Sequence, residues 1–206
     1  MSCDCGHASA NTENERKTLR VALALNTTMF VVGMVAGVWA QSSGLMADAL
    51  DMLTDATAYG LGLMAVTRGM RFKLYSASWT GATLMLLSAG IVAYVIRRFL
   101  FGSDPLGAAM VGFSLLSLFV NVTVLRMLAP YREGEVHMRA SWICTRADVV
   151  ANFGVLASGL VVLATGWRYA DLVVGLAISA YVAKEAIEIW QQSRNSGEND
   201  TSLSEQ

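Results

Sequence analysis

The stretch Gly44-Leu-Met-Ala-Asp48-Ala-Leu-Asp51-Met-Leu-Thr-Asp55 decides how this chain is read, because three carboxylates interrupt a run that is otherwise apolar enough for lipid. A charge at the centre of a membrane helix costs about 2.5 to 3.5 kcal/mol on insertion scales, so three on one span cost on the order of 8 to 10 kcal/mol. Lipid cannot face them. At 3.6 residues per turn, Asp48, Asp51 and Asp55 stand at i, i+3 and i+7, one narrow stripe of a helix. That stripe must look inward, towards other helices or water. Asp51 and Asp55 are neighbours on it, close enough for both carboxylates to reach one small cation.

The chain around this stretch has the composition of a membrane protein. Of its 206 residues, 54% are hydrophobic and 15% charged, against the ~25% charged share usual in soluble domains. The mean hydropathy is +0.47. The formal net charge of -1 lacks the basic footprint of a nucleic-acid binder. Apolar windows long enough to cross the ~30 Å hydrocarbon core follow one another along the chain. Six are expected: Leu19 to Ala40, Gly44 to Thr67, Ala77 to Phe101, Leu106 to Ala129, Met138 to Thr165, and Tyr169 to Trp190. The fold class is therefore an all-α membrane protein, a six-transmembrane-helix bundle in a lipid bilayer. Asp104 and Pro105 are expected to cap and open the fourth span, and Pro130 to close it. Trp39, Trp79, Trp167 and Trp190 fall near span ends, where amphipathic rings favour the headgroup level.

An even number of spans places both termini on one side. Most of the flanking lysines and arginines, among them Arg16, Lys17, Arg20, Arg68, Arg71, Lys73, Arg132 and Arg139, share that side, so the positive-inside rule makes the termini cytoplasmic. Arg97, Arg98 and Arg168 lie opposite, and Arg146 lies inside the fifth window. Residues 1–18 read as a polar cytoplasmic tail without a signal peptide, and residues 191–206 as a polar, unordered tail.

The fifth window repeats the four-residue spacing of the second, with Cys144 and Asp148, and Asn152 continues the face by another turn. Two helices that each give an i, i+4 pair supply the four ligands, at roughly 2.0 to 2.3 Å, that a tetrahedral zinc-like site takes. Asn26, polar within the first span, is a candidate to support such a site. Other readings of these residues exist. Inward acids also serve as proton relays or pair with a base such as Arg146. An isolated cysteine in an apolar run is commonly a small filler, and asparagines commonly act as interhelical glue. In the N-terminal tail, Cys3, Cys5 and His7 alternate as a candidate capture arm for soft ions, or as a start with no function. His137, before the fifth span, is a candidate to line a cytoplasmic mouth, or a solvated loop histidine.

Three stretches give the chain a family likeness: Asn26-Thr-Thr-Met-Phe30 leading to Gly37, Ser43 through Asp55, and Arg146-Ala-Asp148-Val-Val-Ala-Asn152-Phe-Gly154. Together, from about Leu19 to Gln191, they resemble the cation diffusion facilitators, divalent-metal transporters usually run as proton antiporters. The resemblance implies a transport site at Asp51, Asp55, Cys144 and Asp148, supported by Asp48, Asn26 and Asn152. That set agrees with the one reached from spacing.

It implies an exporter of divalent transition metal in a bacterial cytoplasmic (inner) membrane, with metal ion and protons as the transported species. The runner-up is a metal-binding membrane sensor or partner subunit that moves nothing. Cysteine at 144, where the family commonly has histidine or aspartate, softens the donor set, so zinc is expected first, cadmium next, and cobalt or nickel after them. The family's C-terminal cytoplasmic domain has no counterpart here, so a homodimer is expected to form through transmembrane helices. Gly33-x-x-x-Gly37 offers one small-residue face for this, with packing inside the bundle as its other use. An enzymatic reading, intramembrane proteolysis by paired aspartates, lacks the Gly-x-Gly-Asp context at Asp55 and Asp148. No enzyme activity and no bound cofactor are expected.

Overall fold

The computed structural model describes the backbone of residues 13–64, 70–102, 104–131 and 136–204, and within these every side chain except 70–77, 80, 131, 136–141, 143, 144 and 192–204. Six long helices follow one another: α1 Glu13–Trp39, α2 Ser43–Met64, α3 Met70–Phe101, α4 Gly107–Leu128, α5 Val136–Thr165 and α6 Tyr169–Ser204. A 3-10 turn, Ala129–Tyr131, ends α4 at Pro130. No strand occurs among the described residues.

The polarity of the bundle is inverted relative to a water-soluble protein. Leu86, Phe119 and Val173 are 74%, 70% and 63% exposed, whereas Asp48, Asp51, Asp55, Asp148, Asn26 and Asn152 are buried. Such a surface is stable only against hydrocarbon, and its acids have been drawn inward for the reason given by their stripe. Four helices carry segments apolar and long enough to cross a membrane: Glu13–Trp39, Gly81–Phe101, Gly107–Leu128 and Thr145–Thr165. The sequence of α2 spends its polar residues on the interior and that of α6 runs into a charged extension, which lowers their hydropathy without changing their place in the bundle. Trp39, Trp79 and Trp167, all more than half exposed, sit near helix ends as amphipathic rings at a headgroup boundary do.

Packing is closest between α1 and α2, α3 and α6, and α4 and α5, with α2 also laid along α6. Gly33 and Gly37 are used for the first of these contacts. A Cβ at Gly33 would stand 3.1 Å from Ala49 Cβ, and one at Gly37 only 2.6 Å from Met46 Cγ and 2.9 Å from Met46 N. The small-residue face is thus filled by α2 of the same chain and is not free to join a second copy.

Several boundaries differ from the expected ones. α1 begins at Glu13 and α3 at Met70, each about two turns before the apolar window, because a helix started in lipid adds one hydrogen bond per further residue. For the same reason α6 continues to Ser204, where composition suggests an unordered tail. The cap expected of Asp104 is not formed. α4 starts at Gly107, its N-cap is Leu106, and no side chain caps it. The Leu106 N–H instead donates to the Ala40 carbonyl (2.9 Å), which ties the connection to the end of α1 before the helix begins.

Candidate metal centre

The acids of α2 and α5 meet where two apolar clusters adjoin. One cluster gathers Leu45 and Leu50 of α2 with Met110, Val155, Leu172 and Val182, towards the end where α1 turns into α2. The other gathers Met52 and Tyr59 with Leu19, Ala22, Met29, Val120 and Val124, towards the termini. Asp51 and Asp55 fall between them on α2, and Asp148 approaches from α5. The carboxyl of Asp148 is within hydrogen-bonding reach of both Asp51 and Asp55. All three are less than a tenth exposed. Carboxylates in contact repel unless a proton or a cation lies between them. Among the described residues, Asp148 Oδ2 receives no donor, and neither does Asn152 Oδ1, one turn along α5. Two oxygen atoms one turn apart on α5 are thus left without a donor among the described residues.

The amide of Asn152 is turned by its own helix, with Nδ2 donating to the Asp148 carbonyl at 2.9 Å. Asn26 behaves alike on α1: Nδ2 donates to the Ala22 carbonyl at 3.0 Å and Oδ1 is left without a donor. Asp48 is buried but stands apart, its Oδ2 accepting from the Ser117 hydroxyl of α4 at 3.0 Å. Cys144 falls in α5 one turn before Asp148, as the spacing requires, but its side chain lies outside the described residues, as do His137's side chain and all of Cys3, Cys5 and His7. Among the described residues, no three Asp, Glu, Cys or His side chains are already arranged as a metal cluster. The acids are gathered within reach of one another, and their oxygens are not yet spaced as ligands around one point.

Arg146 does not neutralise the acids. It is exposed, and its guanidinium lies 5.9 Å from the Trp142 ring centroid on the same helix. Pairing with Arg146 is therefore not what holds the carboxylates in place. Two groups that sequence reasoning passed over, Tyr59 and Thr145, help to hold them, and a third, Glu185, adds a further acid beside them. Tyr59, one turn beyond Asp55 on the same stripe, donates from its hydroxyl to Asp55 Oδ2 (3.2 Å) and shares a 2.9 Å hydrogen bond with Thr145 of α5. Extending the i, i+3, i+7 stripe by one turn would have found Tyr59. Glu185 of α6 adds its charge to those acting on Asp51 and Asp55, and accepts from the Tyr181 hydroxyl at 2.7 Å. Its signal was an acid inside the sixth window.

A bundle that is lipophilic outside and gathers carboxyl groups inside is a multi-pass integral membrane protein organised around an acidic centre. The sequence model of the cation efflux transmembrane domain matches residues 19–195, and the chain belongs to that family, the cation diffusion facilitators. It is 24% identical over 206 residues to the metal cation efflux system protein CzcD of Cupriavidus metallidurans, covering 92% of this chain and 64% of the relative. With the zinc transporter ZitB of Yersinia pestis it shares 28% identity over 195 residues, 88% of this chain and 62% of the relative. With the cadmium, cobalt and zinc/H(+)-K(+) antiporter of Bacillus subtilis it shares 23% over 205 residues, 91% and 65% respectively. The chain thus spans somewhat under two thirds of the length of these relatives.

Proposed function

We propose that this protein exports divalent transition-metal cations from the bacterial cytoplasm across the cytoplasmic membrane, zinc first and cadmium next, in exchange for protons. The transport site in this reading is Asp51 and Asp55 of α2 with Cys144 and Asp148 of α5, supported by Asp48, Asn26 and Asn152. The observation that carries it is the approach of Asp148 to both Asp51 and Asp55 inside the bundle, with Asp148 Oδ2 lacking a donor. The names of the relatives, zinc transporter and cadmium, cobalt and zinc antiporter, support the metal class. The termini are cytoplasmic in this reading. Arg98, on the opposite side, is 7% exposed and donates to the Gln41 carbonyl, so a structural bond accounts for its place there.

Metal binds carboxylate and thiolate only in their deprotonated forms, so loading the site releases protons and protonating it expels metal. Exchange follows from that competition. The helices bearing the ligands rock against the rest of the bundle to expose the site to one side at a time. The test uses proteoliposomes containing a zinc indicator and a pH indicator, challenged with zinc, cadmium, cobalt and nickel. Metal uptake should make the lumen more alkaline. Asp55→Ala should insert normally and carry none. Metal bound without flux in wild type, or uptake by Asp55→Ala at the wild-type rate, would defeat the reading.

A further inference from the structure

Outside the metal centre, the buried carboxylate with the most hydrogen bonds among the described residues is Asp171, in the first turn of α6 and 1% exposed. Its carboxylate is spent on the beginning of α2. Oδ2 accepts from the Ser43 backbone N–H (2.8 Å) and hydroxyl (2.9 Å), and Oδ1 accepts from the Gly44 N–H (3.0 Å) and the Ser42 hydroxyl. Ser42 Oγ in turn accepts from the Leu45 N–H at 3.1 Å. The first N–H groups of a helix have no partner within it, and α2 has no acid of its own in the first turn. Ser42 caps α2 through the Leu45 N–H, and an acid from another helix takes the N–H groups of Ser43 and Gly44 that this cap leaves over, at the positive end of the helix dipole.

Backbone contact seals the same place. A Cβ at Gly175, one turn along α6, would lie 2.7 Å from the Ser43 carbonyl carbon, and one at Gly44 would lie 3.0 Å from Asp171 Oδ1. The connection that precedes α2 is tied down too. Gln41 takes φ +54°, its carbonyl accepts from Arg98 of α3, and the Ala40 carbonyl accepts from Leu106 at the start of α4. Towards the other end of α2, Tyr59 makes a hydroxyl bond to Thr145 of α5, and among the described residues no backbone–backbone bond joins that end to another helix.

We propose that Asp171 is a positioning residue that pins the beginning of α2, so that α2 opens and closes the metal site by tilting about that end. Asp51 lies eight residues from Ser43, about 12 Å along the helix, and Tyr59 about 24 Å. A tilt of roughly 10° about the pin moves Asp51 by about 2 Å and Tyr59 by about 4 Å, on helix geometry alone. The motion needed to break a ligand set is then produced at the centre while the pinned end hardly shifts. This inference rests on the transport reading for its consequence, though not for the pin itself.

The test compares wild type, Asp171→Asn, Ser43→Ala and Asp55→Ala in detergent and in proteoliposomes. An asparagine keeps the size of Asp171 but turns one acceptor into a donor facing the Ser43 N–H, and Ser43→Ala removes one hydroxyl while leaving both backbone donors. Amide exchange by mass spectrometry should find residues 43–46 of wild type protected with or without zinc, and residues 59–63 responding to zinc. Asp171→Asn should speed exchange at 43–46 by about tenfold or more. It should slow zinc turnover about tenfold with half-saturation within about twofold, since a tilting step and not the ligand set has been damaged. Ser43→Ala should shift both in the same direction by less, and carries the test if Asp171→Asn does not fold. Asp55→Ala should lose zinc binding with residues 43–46 still protected. If wild type moves no metal, the transport reading fails and the exchange pattern decides the pin. Equal lability at both ends of α2 in wild type, or turnover of Asp171→Asn within about twofold of wild type, overturns the proposal.

Discussion

Replacing Asp148 by asparagine should make the metal-free protein more stable and at the same time useless to zinc. The side chain keeps its shape and loses one negative charge at the point where three carboxylates meet. In wild type Asp148 Oδ2 has no donor, and Asp51 and Asp55 both stand within hydrogen-bonding reach of the Asp148 carboxyl. An asparagine NH2 aimed into that gap supplies two donors, and one well-formed hydrogen bond to a charged acceptor contributes about 1.5 to 3 kcal/mol. A change of that size raises Tm by roughly 3 to 12 °C for a chain of this length, taking about 2 to 4 °C per kcal/mol. Zinc moves the other way. Loss of a partner that only orients a ligand already costs about 10- to 100-fold in affinity, so loss of a carboxylate ligand should weaken zinc binding by about 100-fold or more, ~2.7 kcal/mol. The assay is thermal unfolding of the detergent-purified protein with and without zinc, beside a zinc titration. Wild type should melt lower when metal-free and gain Tm on adding zinc; the variant should start higher and gain nothing. A variant that melts below wild type and still gains Tm with zinc would show that Asp148 is a structural group and not part of the cation site.

Three further outcomes follow from other contacts. Ser117→Ala removes the donor to Asp48 Oδ2 and should cost about 1 to 3 kcal/mol, read as a lower Tm, because a buried acceptor is left short of a partner. Gly37→Ala should lose more stability than Gly33→Ala in the same melting assay, since its Cβ would meet Met46 at 2.6 Å whereas the other meets Ala49 at 3.1 Å; overpacking of this kind costs about 1 to 3 kcal/mol. Cys144→Ser exchanges a soft donor for a hard one and should weaken cadmium binding more than zinc binding in competition titrations; an unchanged cadmium to zinc ratio would remove Cys144 from the ligand set.

The parts of the fold legible in the sequence were those set by repeating constraints. Hydrocarbon demands long apolar runs, and the six helices stand where those runs are, with ends displaced because helices outlast the apolar stretch, as at Glu13 and Met70. The stripe Asp48, Asp51 and Asp55 could be turned inward from spacing alone, since periodicity fixes which residues share a face. What periodicity leaves open is the partner across the interface. Asp51 and Asp55 meet Asp148, but Asp48, on the same stripe, meets Ser117 of α4 instead. Asp104 illustrates the same gap: it has the residue type and position of a cap, and a long-range bond from Leu106 to Ala40 overrides it. Asp171 was invisible for this reason too, because its value depends on Ser43, more than a hundred residues away in sequence.

The buried polar groups of this bundle sort themselves by how far they are satisfied. Asp171 holds four donors, Asp48 holds a hydroxyl, and Asp55 holds the Tyr59 hydroxyl. Each of these arrangements offsets part of the cost of drawing a carboxylate out of water, which is the condition for keeping it in a membrane helix at all. Asp148 departs from the pattern, with an oxygen that no donor among the described residues answers and two further carboxylates at hand. Were the acids there for the fold alone, a single asparagine or serine in α5 would satisfy Asp51 and Asp55 at lower cost. Asp148 stands on α5, whose contact with α2 is among the lighter parts of the packing. In the transport reading proposed above, a group that must release its partner cannot be given a permanent one, and that requirement, more than the acids' presence, would separate a place for a travelling ion from an internal salt bridge.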